Sequence, residues 1–181
     1  MQNNFKIYDQ FTDEQIRKTL DIEHAEFKDI PQISFELVKS WIDKNPETHT
    51  IIVNGDEYVG CINFVPLDPA FYERYRSGVV SDCDIKAGNI LSYKNGESYD
   101  FLFMNIIIKK EYRDGEAIKV LMSGFFDKLK KLQNRGITIR RVLANIVTAD
   151  GENFLKRYGF EKIGKSIDGD LYETEKFTFH T

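Results

Sequence analysis

The spacing of apolar positions changes several times along the chain, and each change marks a new element. Tyr99–Ile108 is apolar at almost every position, as expected of a strand covered on both faces and central in its sheet. After the charged turn 109–116, Ile118, Leu121, Met122, Phe125, Leu129 and Leu132 fall three and four residues apart. That spacing predicts a long amphipathic helix, stopped by Gly136. A second strand follows over about 137–147, then a short helix with Asp150 as its N-cap, running through Tyr158 and broken by Gly159.

The N-terminal half carries weaker periods with clear punctuation. Thr12-Asp13-Glu14-Gln15 has the form of a capping box for a helix reaching about Phe27, and Pro31 breaks it. Ser34 caps a second helix with Phe35, Val38, Trp41 and Ile42 on one side, ending before Pro46. Strands over 48–53 and 57–65 flank Asn54-Gly55-Asp56, a hairpin signal; strands over 160–167 and 171–178 flank Asp168-Gly169-Asp170 in the same way.

Between these blocks the chain spends about thirty residues, 66–97, without a long periodic run. Asp68 and Pro69 open a helix through Arg76 that Gly78 ends, a polar stretch holds Asp82, Cys83 and Asp84, and Asn95-Gly96 turns into the central strand. Loops of this length in compact domains are usually functional or disordered. The segment is open to two readings, an acceptor-specificity element or an inert or oligomer-forming excursion. Phe71, Tyr72 and Tyr75 are read as exposed apolar residues that could pair two subunits in a homodimer.

Strand, turn, long helix, strand and short helix form a βαβα unit with few spare residues. The helix start after the first strand suits an anion, because unpaired N–H groups and the positive end of the helix dipole converge there and Arg113 adds a charge. A phosphate-bearing cofactor is the expected occupant, with Lys109 and Lys110 beside it.

These residues resemble the GCN5-related N-acetyltransferases, which move an acetyl group from acetyl-CoA to a primary amine. In that family the strand runs into an Arg/Gln-x-x-Gly-x-Gly/Ala loop whose backbone amides wrap the CoA pyrophosphate. Ile108–Arg113 leads into it here, and Arg113 matches its first position. A gap-free reading puts Glu116 and Ile118 where the two glycines belong; a reading with one residue deleted puts Gly115 and Ala117 there, keeping a glycine where backbone must approach phosphate. The second family signature, Asn-x-x-Ala-x-x-Leu-Tyr-x-Lys-x-Gly-Phe, corresponds to Thr148–Phe160. Thr148 replaces Asn, Gly151 replaces Ala, and Leu155 stands where many members carry the Tyr that protonates the leaving thiolate.

The resemblance implies an α/β acetyltransferase fold, a mixed, mostly antiparallel sheet flanked by helices. It implies acetyl-CoA as co-substrate and a small-molecule amine or a peptide or protein amine as acceptor. The cofactor-binding residues it implies are Ile106, Ile107 and Ile108, whose backbone would pair with the pantetheine arm, together with Arg113, Asp114, Gly115, Glu116, Ala117, Ile118 and Thr148. Direct attack needs a neutral amine, so a base must take a proton from an ammonium of pKa roughly 10. Asp100 is the candidate general base, with a strand-entry Asp bonded to the turn at Ser98 as the other reading; Glu97, Asp82 and Asp84 stand in reserve. Tyr158 is the candidate general acid, three residues beyond the family position. Asn105 interrupts the apolar strand and could bond the pantetheine amides or a polar neighbour. The alternative function is a degenerate member that binds acyl-CoA or a partner without turnover.

Composition narrows this picture only a little. The 181 residues suffice for one sizeable core, and no Pro- or Ser-rich linker divides them, so a single domain over 1–181 with an extended insertion at about 66–97 is expected. No stretch reads as a signal peptide or membrane helix, and a cytoplasmic location is the default. Two cysteines, Cys61 and Cys83, and three histidines, His24, His49 and His180, make no metal or disulfide pattern, so no metal is expected. A net charge of −4 argues against nucleic acid or an anionic membrane as the main partner.

Overall fold

Residues 4–9, 11–28, 30–113, 115–175 and 177 are described by the structure, a computed structural model. Asp114, His180 and the end of the expected last strand lie outside them. Seven strands form one sheet: β1 (Phe5–Tyr8), β2 (His49–Asn54), β3 (Glu57–Leu67), β4 (Ser98–Ile108), β5 (Thr138–Ile146), β6 (Glu161–Lys165) and β7 (Asp170–Thr174). Their order is β1-β2-β3-β4-β5-β7-β6, and among the described residues β4 with β5 is the one parallel pair. The apolar run of β4 thus lies at the centre, as its pattern requires.

Helices cover both faces. α1 (Asp13–Glu26), α2 (Phe35–Lys44) and α3 (Pro69–Arg76) lie on one, packing Ile16, Leu20, Trp41 and Tyr72 against Leu102, Leu143 and Leu171. α4 (Glu116–Asn134) and α5 (Ala149–Arg157) lie on the other, where Leu121, Phe125, Leu129 and Leu155 meet Phe64, Phe101 and Phe103. Alternate residues of β4 feed the two cores, Phe101 and Phe103 one and Leu102 and Met104 the other. The capping box at Thr12 and Gln15 is formed, and Asp68 accepts from the Phe71 amide to start α3. No described helix is long and apolar enough to cross a membrane.

The excursion after β3 corrects one expectation. Phe71, Tyr72 and Tyr75 are buried rather than exposed, with Val80, Ile85 and Ile90 buried beside them, so they are core and offer no surface for a second subunit. Trp41 Nε1 donates to the Ile85 carbonyl at 2.8 Å, tying α2 to the excursion.

A charge network fastens α3 to the sheet. Asp100, 1% exposed, accepts from Arg140 and from Arg141 at 2.9 Å each; Arg141 also reaches Glu73 on α3 at 2.9 Å and lies 4.5 Å over the Tyr72 ring. Tyr72 and Arg76 both donate to Glu173 on β7. A buried carboxylate is tolerable only when paired in this way. Asp100→Asn should therefore lower the unfolding free energy by about 2–3 kcal/mol in a denaturant titration, less than the ~3–5 kcal/mol of a fully enclosed pair because one guanidinium is half-exposed.

Candidate active site

The site begins where two neighbouring strands part. The β4–β5 ladder runs from Ser98↔Thr138 to Phe103↔Ala144 and stops, although β4 stays paired with β3 as far as Gly60↔Ile108 and β5 with β7 as far as Ile146↔Asp170. A bulge helps to turn β4 away: Asn63 and Phe64 on β3 face Asn105 and Phe103, leaving Met104 as the extra residue. The backbone of 104–108 on its β5 side is then left out of the ladder, beside a cleft of about 300 Å³. Ile106, Ile107 and Ile108 line it with Phe27, Ile118, Thr148 and Phe154.

The start of α4 closes one end of the cleft. Gly115 takes φ +96° at the N-cap, a left-handed conformation that favours glycine, and it brings no capping side chain to the first-turn amides of this 19-residue helix. Arg113 anchors the turn, its Nε donating to the Ile108 carbonyl at 2.8 Å and its guanidinium meeting Glu26 at the end of α1. Opposite, Thr148 rather than the expected Asp150 is the N-cap of α5, accepting from the Gly151 amide at 3.1 Å. Its β-region backbone and short hydroxyl suit the N-cap, and Asp150 falls inside the first turn, where its charge still favours the dipole.

Beyond the bulge the groove continues past Phe103, Met104, Asn105 and Asn145 into a pocket lined by Glu23, His24, Asp82, Cys83 and Asp168. Glu23 descends from α1, and Asp82 comes from the excursion through a short 3-10 turn, Asp82–Asp84. Desolvation pushes the Glu23 carboxyl up to about 7; the charge of Asp82 adds to this, and a hydrogen bond from the Asn105 amide opposes it. Desolvation likewise raises Asp82 to about 6, against a 2.5 Å hydrogen bond from Tyr75 Oη and with added repulsion from Asp168. Among the described residues, no lysine or arginine lines the pocket.

No family model and no curated sequence matches this chain, but many solved structures share its architecture. The loading GNATL domain of CurA from Lyngbya majuscula superposes with a TM-score of 0.62 at 14% identity, covering 96% of this chain and 98% of that one. Arabidopsis thaliana Naa50, solved with the bisubstrate analogue CoA-Ac-MVNAL, gives 0.57 at 13% identity over 93% and 95%. The PaiA N-acetyltransferase from Thermoplasma acidophilum, solved with coenzyme A, gives 0.53 at 12% identity over 96% and 99%. The fold is that of the GCN5-related N-acetyltransferases.

Within this acetyltransferase fold the residues singled out from sequence divide cleanly. Ile106, Ile107, Ile108, Arg113, Ile118 and Thr148 line one cleft, and Gly115, Glu116 and Ala117 form the adjoining helix start, Ala117 with its side chain buried in the core. Asp114 lies outside the described residues. Asp100 is elsewhere: it sits six residues before Ile106, about 20 Å along the strand at ~3.3 Å per residue, and its oxygens are held by two arginines. Tyr158 is the C-cap of α5, its ring against Phe126, Phe154 and Phe177, outside the residues that line the groove. Leu155, at the position of the family's Tyr, is buried core.

Glu23 was not anticipated, yet a signal for it exists. Ile16, Thr19, Leu20 and Glu23 share the buried side of α1 at helical spacing, so the fourth position puts a carboxylate where an apolar residue is expected. Because Glu23 and Asp82 are both held above the ordinary carboxylate values, their contribution to stability is full below about pH 4 and is lost as pH rises through about 6 to 7. Thermal melts should show wild type losing stability between pH 5 and 8 relative to Glu23→Gln/Asp82→Asn, in which that loss is absent.

Proposed function

We propose that this protein is an acetyl-CoA-dependent N-acetyltransferase acting on a cationic amine. What carries the reading is the continuity of one groove, from the Gly115 helix start through the gap between β4 and β5 to a pocket holding a carboxylate poised near neutrality.

Acetyl-CoA supplies the activated acetyl thioester. The amides at Gly115–Ile118 and the guanidinium of Arg113 are placed to hold its pyrophosphate, in keeping with the reading that aligns Gly115 and Ala117 with the family's glycine positions. Ile106, Ile107 and Ile108 offer strand backbone and apolar side chains to the pantetheine arm, with Phe154 and Ile118 opposite. Asn105 Oδ1 is buried with no hydrogen-bond partner at the junction of the two pockets, as expected of a group that meets a donor on a bound molecule.

Glu23 takes the role first assigned to Asp100. With its carboxyl near 7 it can accept a proton from an ammonium of pKa roughly 10 and is about half ionised at neutral pH. Asp82 and Asp168, with no lysine or arginine among the described lining residues, favour an acceptor that arrives as a cation. Residues 66–97 then serve as the acceptor wall as well as core. The departing thiolate, with a pKa of about 8.5, can leave without a dedicated acid, so the buried Leu155 is compatible with turnover. Leu155 also favours the second reading, a member that binds acyl-CoA or a partner without transfer.

Calorimetric titration with acetyl-CoA, using desulfo-CoA and ATP as controls, should give saturable micromolar binding, and an amine screen should then release thiol. Binding without thiol release for any amine would favour the second reading, and no binding at millimolar acetyl-CoA would overturn both. Glu23→Gln should lower kcat by about 100-fold or more and remove the limb of the pH-rate profile near 7, with acetyl-CoA affinity unchanged.

A further inference from the structure

Beneath Glu23 a row of polar side chains crosses an otherwise apolar sheet. His49 on β2 is the register partner of Asn63 on β3, and Asn63 is the partner of Asn105 on β4, so the three lie side by side across three strands. His49 and Asn63 are 2% and 4% exposed, and with Thr19 and Glu23 they line a cavity having about 10 Å³ of room for a water centre, the size of a single site.

The hydrogen-bond network determines what each group can do. The Thr48 hydroxyl lies 2.9 Å from the Asn45 carbonyl and 2.8 Å from His49 Nδ1, and when its one hydrogen goes to the carbonyl, Nδ1 is the donor in the second pair. His49 is held neutral, pushed down to about 3 by burial and by the nearby Lys128, and its Nε2 is therefore a bare acceptor. Nε2 and Asn63 Oδ1 are both buried without a hydrogen-bond partner among the described residues. Two acceptors cannot satisfy each other. Left unpaired, each would cost the protein its full desolvation penalty.

We propose that His49 and Asn63 hold one buried water by taking both its hydrogens, and that they are positioning residues for the base Glu23. This rests on the reading of Glu23 given above. With both hydrogens engaged, the water can meet Glu23 only through its lone pairs, so it bonds the protonated carboxyl and has nothing to offer the carboxylate. When the proton leaves the ammonium for Glu23, the new O–H has an acceptor waiting. On the other side the Asn105 amide donates to the ionised form, so the two contacts pull the carboxyl in opposite directions. Among the described residues, the other titratable groups around Glu23 are Asp82 and Cys83 from the excursion, Asp168 from the turn before β7, Cys61 from β3 and its own neighbour His24.

Three measurements test this without acetyl-CoA or any acceptor, so their failure is separate from failure of the transferase reading. A high-resolution crystal structure should show a water within hydrogen-bond distance of His49 Nε2 and Asn63 Oδ1; a cavity without density there would overturn the proposal. Nitrogen NMR of the wild type should find His49 as the Nδ1–H tautomer, and an Nε2–H tautomer would likewise sink it. In Asn63→Leu the water regains a hydrogen to turn on the carboxylate, so the Glu23 midpoint in carbon NMR should fall by about one pH unit, the worth of one hydrogen bond to a charge. An unchanged or raised midpoint in a folded variant would refute the assignment.

Discussion

Everything that makes this protein more than a packed sheet follows from one local failure of pairing. Parallel neighbours β4 and β5 pair at six positions, with a register shift between Tyr99 and Asp100, and then separate, each continuing with its other partner. A sheet interior cannot leave backbone groups unpaired without cost, so an opening at the centre of the molecule is stable only if something completes the ladder. The bulge at Met104 sets the direction of departure, and the walls on either side are set by α1, α4 and α5. The same divergence brings a helix start, an apolar cleft and an acidic pocket into one line.

Two carboxylates, one buried and one half-buried, show how environment assigns roles. Asp100 is enclosed with two guanidiniums and fastens α3 to β5; its charge is compensated where it stands. For Glu23 the Asn105 amide lowers the proton affinity, but desolvation and the like charge of Asp82 outweigh it and leave that affinity high. The first arrangement serves stability and the second leaves a group that titrates near neutrality, which is what a base needs. Asp100 was weighed as a base or as a strand-entry residue bonded to the turn at Ser98; its partners are Arg140 and Arg141.

The excursion 66–97 shows why exposure is hard to infer from composition. Its aromatic residues form no long periodic run, because α3 is eight residues long and the rest is turns, so nothing local marks which side faces inward. Burial of Tyr72, Tyr75, Ile85 and Ile90 depends on α2 and on the strands beneath them. The segment brings Asp82 to the pocket on the strength of that packing, and Tyr75 then both fills the core and holds the Asp82 carboxyl.

The sequence by itself determined what depends on near neighbours. The central strand, the amphipathic period of α4, the caps at Thr12, Ser34 and Asp68 and the turns at Gly55 and Gly136 all rest on interactions a few residues long, and all are present. The Ile106–Ile118 side of the groove was legible for the same reason, since strand, turn and helix start are consecutive in the chain. The place of Glu23 in the pocket, the N-cap at Thr148 and the ends of the β4–β5 ladder were not. Glu23, Asp82 and Asn105 come from three elements far apart in sequence, and only the tertiary structure decided that they share a pocket. A carboxylate's chemistry is set by what surrounds it within a few ångströms, and those surroundings do not exist until the sheet and the helices of both faces have assembled.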